Sequence, residues 1–156
     1  MATSMVTLIG MFYGAKKHDL INIVFYYCIK VGVVISIIFG IIFYTGAKQM
    51  LSLFTNDLTI INLGYDYFKI FSFAIPFVTI TMISSRCMQG LGKGYPMFII
   101  TCLRVIVISC SLAYVFIVYL NKPLYFAWYA ILISCTFSSL IAMIWMLIIK
   151  RNLVLE

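Results

Sequence analysis

Charged residues are scarce in this sequence. Asp, Glu, Lys and Arg make up 10% of its 156 residues, whereas hydrophobic residues make up 65%. Soluble domains contain about 25% charged and about 45–50% apolar residues. The mean hydropathy is +1.14. A chain with so little charge cannot cover a water-exposed surface, which excludes a soluble globular domain and makes the lipid bilayer the expected surrounding.

Acidic residues and histidine are rarer still, with 4 acidic residues and 1 histidine against 11 basic residues. No apolar run carries the His, Asp or Glu cluster that metal or acid–base chemistry needs, and the five cysteines form no CxxC pair. The sequence therefore predicts no metal site, no cofactor and no enzyme activity. The basic residues lie mostly at the ends of apolar runs, which indicates membrane topology and no nucleic-acid partner.

Four apolar runs are long enough to cross a bilayer, which takes about 20 helical residues. The predicted spans are residues 20–44, 67–88, 97–119 and 124–149. Residues 1–15 are too few and are interpreted as the second half of a helix, and residues 46–65 as an interfacial amphipathic segment. Residues 1–156 are thus expected to form a single all-α transmembrane domain, whose third span closes at Asn121-Lys122-Pro123.

Lysine and arginine residues are unequally divided between the two ends of these spans. One side holds Lys16, Lys17, Arg86, Lys93, Lys150 and Arg151, and the other holds Lys48, Lys69 and Lys122. The cytoplasmic side of a membrane protein carries the excess. The C-terminus is therefore predicted to be cytoplasmic. Lys30 and Arg104 lie within spans, and their side chains are expected to snorkel toward phosphate headgroups.

Small residues recur at helical spacing in two places. Gly10 and Gly14 form a GxxxG pair, and Gly32, Ser36 and Gly40 repeat every fourth residue along one face. Small residues let membrane helices approach closely. Both sets are predicted to be helix-packing surfaces.

The second complete span contains a proline and several polar or aromatic residues. Pro76 is a candidate hinge, with its freed backbone carbonyl satisfied by Thr79, Thr81 or water, or else a static kink. The other candidates could line a substrate cavity, with the aromatic rings offering cation–π contacts, or serve only interhelical packing. These candidate cavity residues are Phe73, Phe77, Thr79, Thr81 and Ser84.

Three segments, in order along the chain, are similar to the motifs of one family of membrane proteins. Residues 7–17 read TLIGMFYGAKK, similar to the family pattern xLVGQxxGAxx, with Met11 in place of the usual glutamine. Residues 50–57 read MLSLFTND, similar to xLxLFTxD. Residues 88–96 read MQGLGKGYP and, with Arg104 downstream, are similar to xQGxGxxxxP…R. In this order and spacing, the three segments resemble the multidrug and toxic compound extrusion (MATE) family of transporters, and the resemblance runs over essentially the whole chain.

The resemblance implies a fold and a function. Family members have two lobes of six helices, and this chain resembles the C-terminal lobe from the latter half of its second helix onward. The implied partners are a missing N-terminal lobe and small organic substrates, and the implied function is sodium- or proton-coupled export by alternating access across the plasma membrane. Some members carry an acidic residue about where Val78 and Thr79 stand, so the coupling-ion site is expected outside this chain.

Two alternatives remain open. A lipid-linked saccharide flippase of the same superfamily would need cationic residues in the cavity to hold pyrophosphate. A structural subunit of the membrane would only pack against partners and transport nothing.

Overall fold

The computed structural model describes residues 2–119 and 126–155, and every regular element within these ranges is a helix. Four of the described helices are long and apolar enough to cross a membrane, and a shorter apolar helix precedes them. The expected all-α, polytopic helix bundle is confirmed. The predicted end of the third span at Asn121-Lys122-Pro123 and the start of the fourth at residue 124 lie outside the described residues.

The helices, in chain order, are α1 (Ala2–Gly14), α2 (His18–Ser52), α3 (Leu58–Gly90), α4 (Tyr95–Tyr119) and α5 (Phe126–Leu155). α4 contains two π-helical stretches, Leu103–Cys110 and Val115–Tyr119. Both α2 and α3 extend well beyond the apolar runs, because polar residues at a membrane boundary still continue a helix. Hydropathy marks the lipid-facing length and not the helix ends.

The predicted interfacial segment 46–65 is not a separate helix. Its first residues complete α2, a short connection follows, and its last residues form the start of α3. Asp57 caps α3, because its side-chain Oδ1 accepts a hydrogen bond of 2.8 Å from the Thr59 N–H. Leu53 and Phe54, in the connection, are exposed.

The main core lies at the end of the bundle where α2 begins and α3 ends. Side chains of all five helices meet there, and Phe25, Ile9 and Met88 are among the largest that are fully buried. The core residues are Met5, Ile9, Ile21, Phe25, Cys87, Met88, Leu91, Ile100, Ala142, Met146 and Ile149. Elsewhere the helices expose apolar side chains, as expected of a protein whose solvent is lipid.

Close helix contacts depend on some of the predicted small residues but not on all of them. A Cβ added at Gly40 would lie 3.1 Å from the Ser72 carbonyl oxygen, and one at Gly32 would lie 2.5 Å from Ile83 Cδ1, so this stripe of α2 faces α3. A Cβ at Gly10 would lie at an ordinary 3.5 Å from the Gly90 oxygen. One at Gly14 would meet nothing within 4 Å, so the GxxxG pair does not act as a unit here.

Ser36, between the two glycines of the α2 stripe, is buried and donates its hydroxyl hydrogen bond to its own helix. The acceptor is the Val33 carbonyl oxygen at 2.8 Å. A hydroxyl bonded in this way behaves as a small side chain toward α3.

Hydroxyl groups join α4 to α5. Ser109 and Ser134 share a hydrogen bond of 2.6 Å between these two helices, and Ser134 is fully buried. Arg104, one turn earlier on α4, interacts with the Cys135 side chain on α5. Its guanidinium therefore contacts a neighbouring helix.

Candidate site between helices α2 and α3

An open cavity of about 440 Å³ lies between α2 and α3, in the half of the bundle away from the main core. Its walls carry aromatic, aliphatic and small side chains and no charge. The lining residues are Ile37, Gly40, Ile41, Tyr44, Ser72, Phe73, Pro76 and Phe77. An apolar, aromatic recess of this size is within the range of small-molecule sites.

The aromatic wall is accessible. Phe73 is 63% exposed, although it belongs to a membrane-spanning helix. Its ring meets that of Tyr44 edge to face, with centroids 6.4 Å apart. Phe77 follows Phe73 by one turn on the same face of α3. Together these three rings offer faces to a ligand between the two helices.

Pro76 places an unusual backbone group beside this cavity. A proline has no N–H, so it cannot donate the usual helical hydrogen bond to the carbonyl four residues earlier, which is that of Ser72. The Ser72 carbonyl oxygen is the atom that approaches Gly40 on α2. The Ser72 hydroxyl does not bond it, because that hydroxyl donates to the Phe68 carbonyl at 2.7 Å.

The predicted partners of the freed carbonyl are engaged elsewhere. Thr79 donates its hydroxyl hydrogen bond to the Ile75 carbonyl and Thr81 donates to the Phe77 carbonyl, each at 3.0 Å. In both bonds the acceptor is the carbonyl four residues earlier in the same helix, a common arrangement for threonine in membrane helices. The expectation that Thr79 or Thr81 satisfies the freed carbonyl is therefore not met.

The structure separates the candidate cavity residues into two groups. Phe73 and Phe77 line the cavity, whereas Thr79, Thr81 and Ser84 do not. Ser84 is fully buried, and its hydroxyl has no hydrogen-bond partner within the described residues. These hydroxyls lie nearer the packed end of α3, where neighbouring helices cover the face that is open at Phe73.

A second recess of about 390 Å³ lies between α3 and α5, and the sequence reasoning missed it. Asp66, Lys69 and Tyr129 supply its polar atoms. The predicted span begins at residue 67, just after Asp66, whereas α3 begins at Leu58, so Asp66 lies more than two turns inside this helix. The capping sequence at Asp57 was the signal that could have placed the helix start earlier.

Metal ligands do not cluster within residues 2–119 and 126–155. No group of three or more His, Cys, Asp or Glu residues is placed to hold a metal ion there. His18, the only histidine, lies at the start of α2 with its ring 6.3 Å from that of Tyr13. The chemistry available at the α2–α3 cavity is thus binding through aromatic and apolar groups.

Comparison with known families gives a match over most of the chain. The MatE family model matches residues 1–115. The chain belongs to the MATE family. No curated protein sequence matches it significantly.

Solved MATE structures have the same fold. A MATE structure in the straight conformation superposes with a TM-score of 0.93 at 22% identity, covering 100% of this chain and 35% of that one. An inward-facing multidrug resistance MATE transporter gives 0.92 at 22% identity, covering 98% and 36%. An outward-facing one gives 0.90 at 23% identity, covering 98% and 34%.

The chain spans about a third of the length of these MATE structures. MATE is a transporter family, and the four membrane-length helices make this chain a multi-pass membrane protein. The expected family and its membrane setting are therefore confirmed.

Proposed function

We propose that this chain forms most of the C-terminal lobe of a MATE antiporter that exports small organic compounds from the cell in exchange for sodium or protons. The observation that carries the proposal is the uncharged aromatic cavity between α2 and α3 in a chain with the MATE fold. The N-terminal lobe is the partner with which this lobe would enclose a pathway.

The ligand class follows from the cavity walls. Tyr44, Phe73 and Phe77 offer ring faces, which attract organic cations by cation–π interaction and other amphiphiles by apolar contact. A lipid-linked saccharide flippase would need lysine or arginine in the cavity walls to hold pyrophosphate. None of the lining residues carries a charge, so export of organic compounds is the better supported of the two transport functions.

Alternating access is the proposed mechanism, by rocking of one lobe against the other. The inward-facing and outward-facing transporters superpose on this chain almost equally well, with TM-scores of 0.92 and 0.90. A lobe that keeps its shape in both states is what rigid-body rocking requires. Pro76 lines the cavity and lies outside the main core, so any bend at this candidate hinge would be local to the cavity and would leave the packed part of the lobe unchanged.

The coupling ion would bind outside this chain. Asp19 and Asp57 lie at helix starts, and Asp66 is exposed near Lys69 in the α3–α5 recess. Coupling requires a carboxylate whose surroundings change between states, and a buried one serves best. The C-terminus would face the cytoplasm of the plasma membrane, as the distribution of lysine and arginine favours.

Ligand binding by the purified chain in neutral detergent tests the proposed cavity. Fluorescence anisotropy of ethidium or rhodamine 6G would report binding, and Phe73→Ala should weaken it about tenfold, since a lost cation–π contact removes about 1–2 kcal/mol. Phe98→Ala is the matched control, because Phe98 is 73% exposed on α4 and does not line the cavity. Equal affinities of the two variants would rule out the cavity as the ligand site.

Transport itself is tested in cells. The chain alone should give no ethidium efflux, because one lobe cannot enclose a pathway, whereas the chain joined in frame to a MATE N-terminal lobe should give efflux that Phe73→Ala reduces. Efflux from cells that contain only residues 1–156 would refute the proposal that a second lobe is needed.

A further inference from the structure

Two lysines on different helices share one patch of surface near the packed end of the bundle. Lys150, on α5, places its Nζ over the ring of Tyr26 on α2, 5.2 Å from the ring centroid. Lys30 follows Tyr26 by one helical turn and is exposed on the same side of α2. Tyr26, Lys30 and Lys150 are called the lysine patch below.

No acidic side chain among residues 2–119 and 126–155 pairs with the lysine patch. Within the described residues, neither Lys30 nor Lys150 forms an ion pair. Asp19 lies on the same side of α2 but about 16 Å from Lys30 along the helix axis, at about 1.5 Å per residue. Two ammonium groups brought to one surface repel each other, most strongly beside lipid, where screening is weak. An anion between them would convert this repulsion into attraction.

The lysine patch lies at the level of the phospholipid headgroups. Residues 31–47 carry no charge, and Lys48 follows them on the same helix. The distance from Lys30 to Lys48 along α2 is about 27 Å at about 1.5 Å per residue. This length matches the hydrocarbon core of a bilayer, which is about 30 Å thick. Lys30 and Lys48 therefore mark the two boundaries of the hydrocarbon core, and Lys30 is not at the bilayer centre.

Apolar side chains surround the lysine patch and remain uncovered. On the hydrocarbon side of Lys30, Val34 and Ile38 of α2 are 52% and 53% exposed. A ligand that fits both the lysines and these apolar side chains has an anionic group at the membrane boundary and apolar chains that extend into the hydrocarbon core of the bilayer. A free phosphate ion satisfies only the first requirement.

We propose that the lysine patch binds the phosphate of an anionic phospholipid headgroup, with the acyl chains lying along the exposed apolar face of α2. Both ammonium groups would contact the phosphate oxygens, and the Tyr26 ring would hold Lys150 in place. Basic pockets between transmembrane helices bind anionic headgroups in this way.

Lys48 provides a matched control at the opposite membrane boundary. Its Nζ lies 4.8 Å from the centroid of the Tyr65 ring, so it also makes a lysine–tyrosine contact between two helices. No second lysine stands one turn away from it on α2. Replacing it removes the same charge and the same type of contact without touching the lysine patch.

The test is the lipid selectivity of the whole chain, purified in neutral detergent and offered equal amounts of phosphatidylglycerol and phosphatidylcholine with the same acyl chains. Native mass spectrometry then gives the ratio of the two lipids retained. Each lysine near an anionic headgroup contributes about fivefold, so Lys30→Gln with Lys150→Gln should lower the preference for phosphatidylglycerol about 25-fold. Lys48→Gln should leave it unchanged, and Lys30→Arg with Lys150→Arg should retain it.

Three results would overturn the proposal. One is an equal loss of preference in Lys48→Gln, which would indicate general surface charge. Another is unchanged selectivity in the double glutamine variant. The third is displacement of phosphatidylglycerol from the unmodified chain by millimolar inorganic phosphate, which would assign the site to a free anion. If the double variant does not fold, each single glutamine variant provides the same test at about fivefold.

Discussion

Replacing Gly90 by alanine is expected to force α1 away from α3. A Cβ at this position would lie 2.9 Å from Ile9 Cβ and 2.9 Å from the Val6 carbonyl oxygen. Both atoms are fixed to the α1 backbone, so no rotation of a side chain relieves the overlap. Overpacking of this kind costs about 1–3 kcal/mol. The matched control is Gly14→Ala, because Gly14 is also the last residue of its helix and has nothing within 4 Å of an added Cβ.

Titration with sodium dodecyl sulfate in mixed micelles measures the free energy of unfolding of both variants. Gly90→Ala should be less stable than Gly14→Ala by about 1–3 kcal/mol. A local measurement accompanies it, because Cys87 is fully buried in the core beside Ile9. A small maleimide should label Cys87 faster in Gly90→Ala, with the labelled position identified by mass spectrometry. Equal stability together with equal Cys87 labelling would refute the close crossing of α1 and α3.

Three further substitutions test other contacts by the same unfolding titration. Gly32→Ala should lower the free energy of unfolding by about 1 kcal/mol, because the added Cβ overlaps Ile83 Cδ1. Adding Ile83→Val deletes that atom and should recover most of the lost stability. No recovery would contradict the contact. Ser109→Ala and Ser134→Ala should show a coupling energy of about 0.6–1.7 kcal/mol in a double-mutant cycle, whereas additive effects would argue against their 2.6 Å hydrogen bond. Asp57→Ala should cost about 1 kcal/mol as a lost helix cap, and Asp57→Asn should cost little.

The number and type of the helices could be predicted from the sequence, because a long apolar run in lipid has no alternative to a helix that satisfies its own backbone. Their ends could not. Residues 46–52 and 58–65 are polar enough to resemble an interfacial segment, yet they continue α2 and begin α3. The physical reason is that backbone hydrogen bonding persists past the membrane boundary, where hydropathy has already fallen.

The cavity could be predicted only in part. Phe73, Phe77, Thr81 and Ser84 all fall on one face of α3 at helical spacing, so periodicity treats them alike. The neighbouring helices make them different, because the face is open at Phe73 and covered at Ser84. A single sequence contains the period of a helix but not the position of the elements that pack against it, so periodicity alone cannot show which of these residues line the α2–α3 cavity.

Pro76 and Gly40 are separate features in the sequence, one a helix breaker and the other a small residue in a stripe, but the fold joins them. The proline leaves the Ser72 carbonyl without its helical donor, and that oxygen points toward α2. Any side chain at position 40 would stand 3.1 Å from it, so glycine is what allows the polar backbone of α3 and the wall of α2 to meet at the cavity. The freed carbonyl is thus packed against α2, since Ser72 is only 8% exposed, and an organic cation in the cavity would meet ring faces and aliphatic side chains.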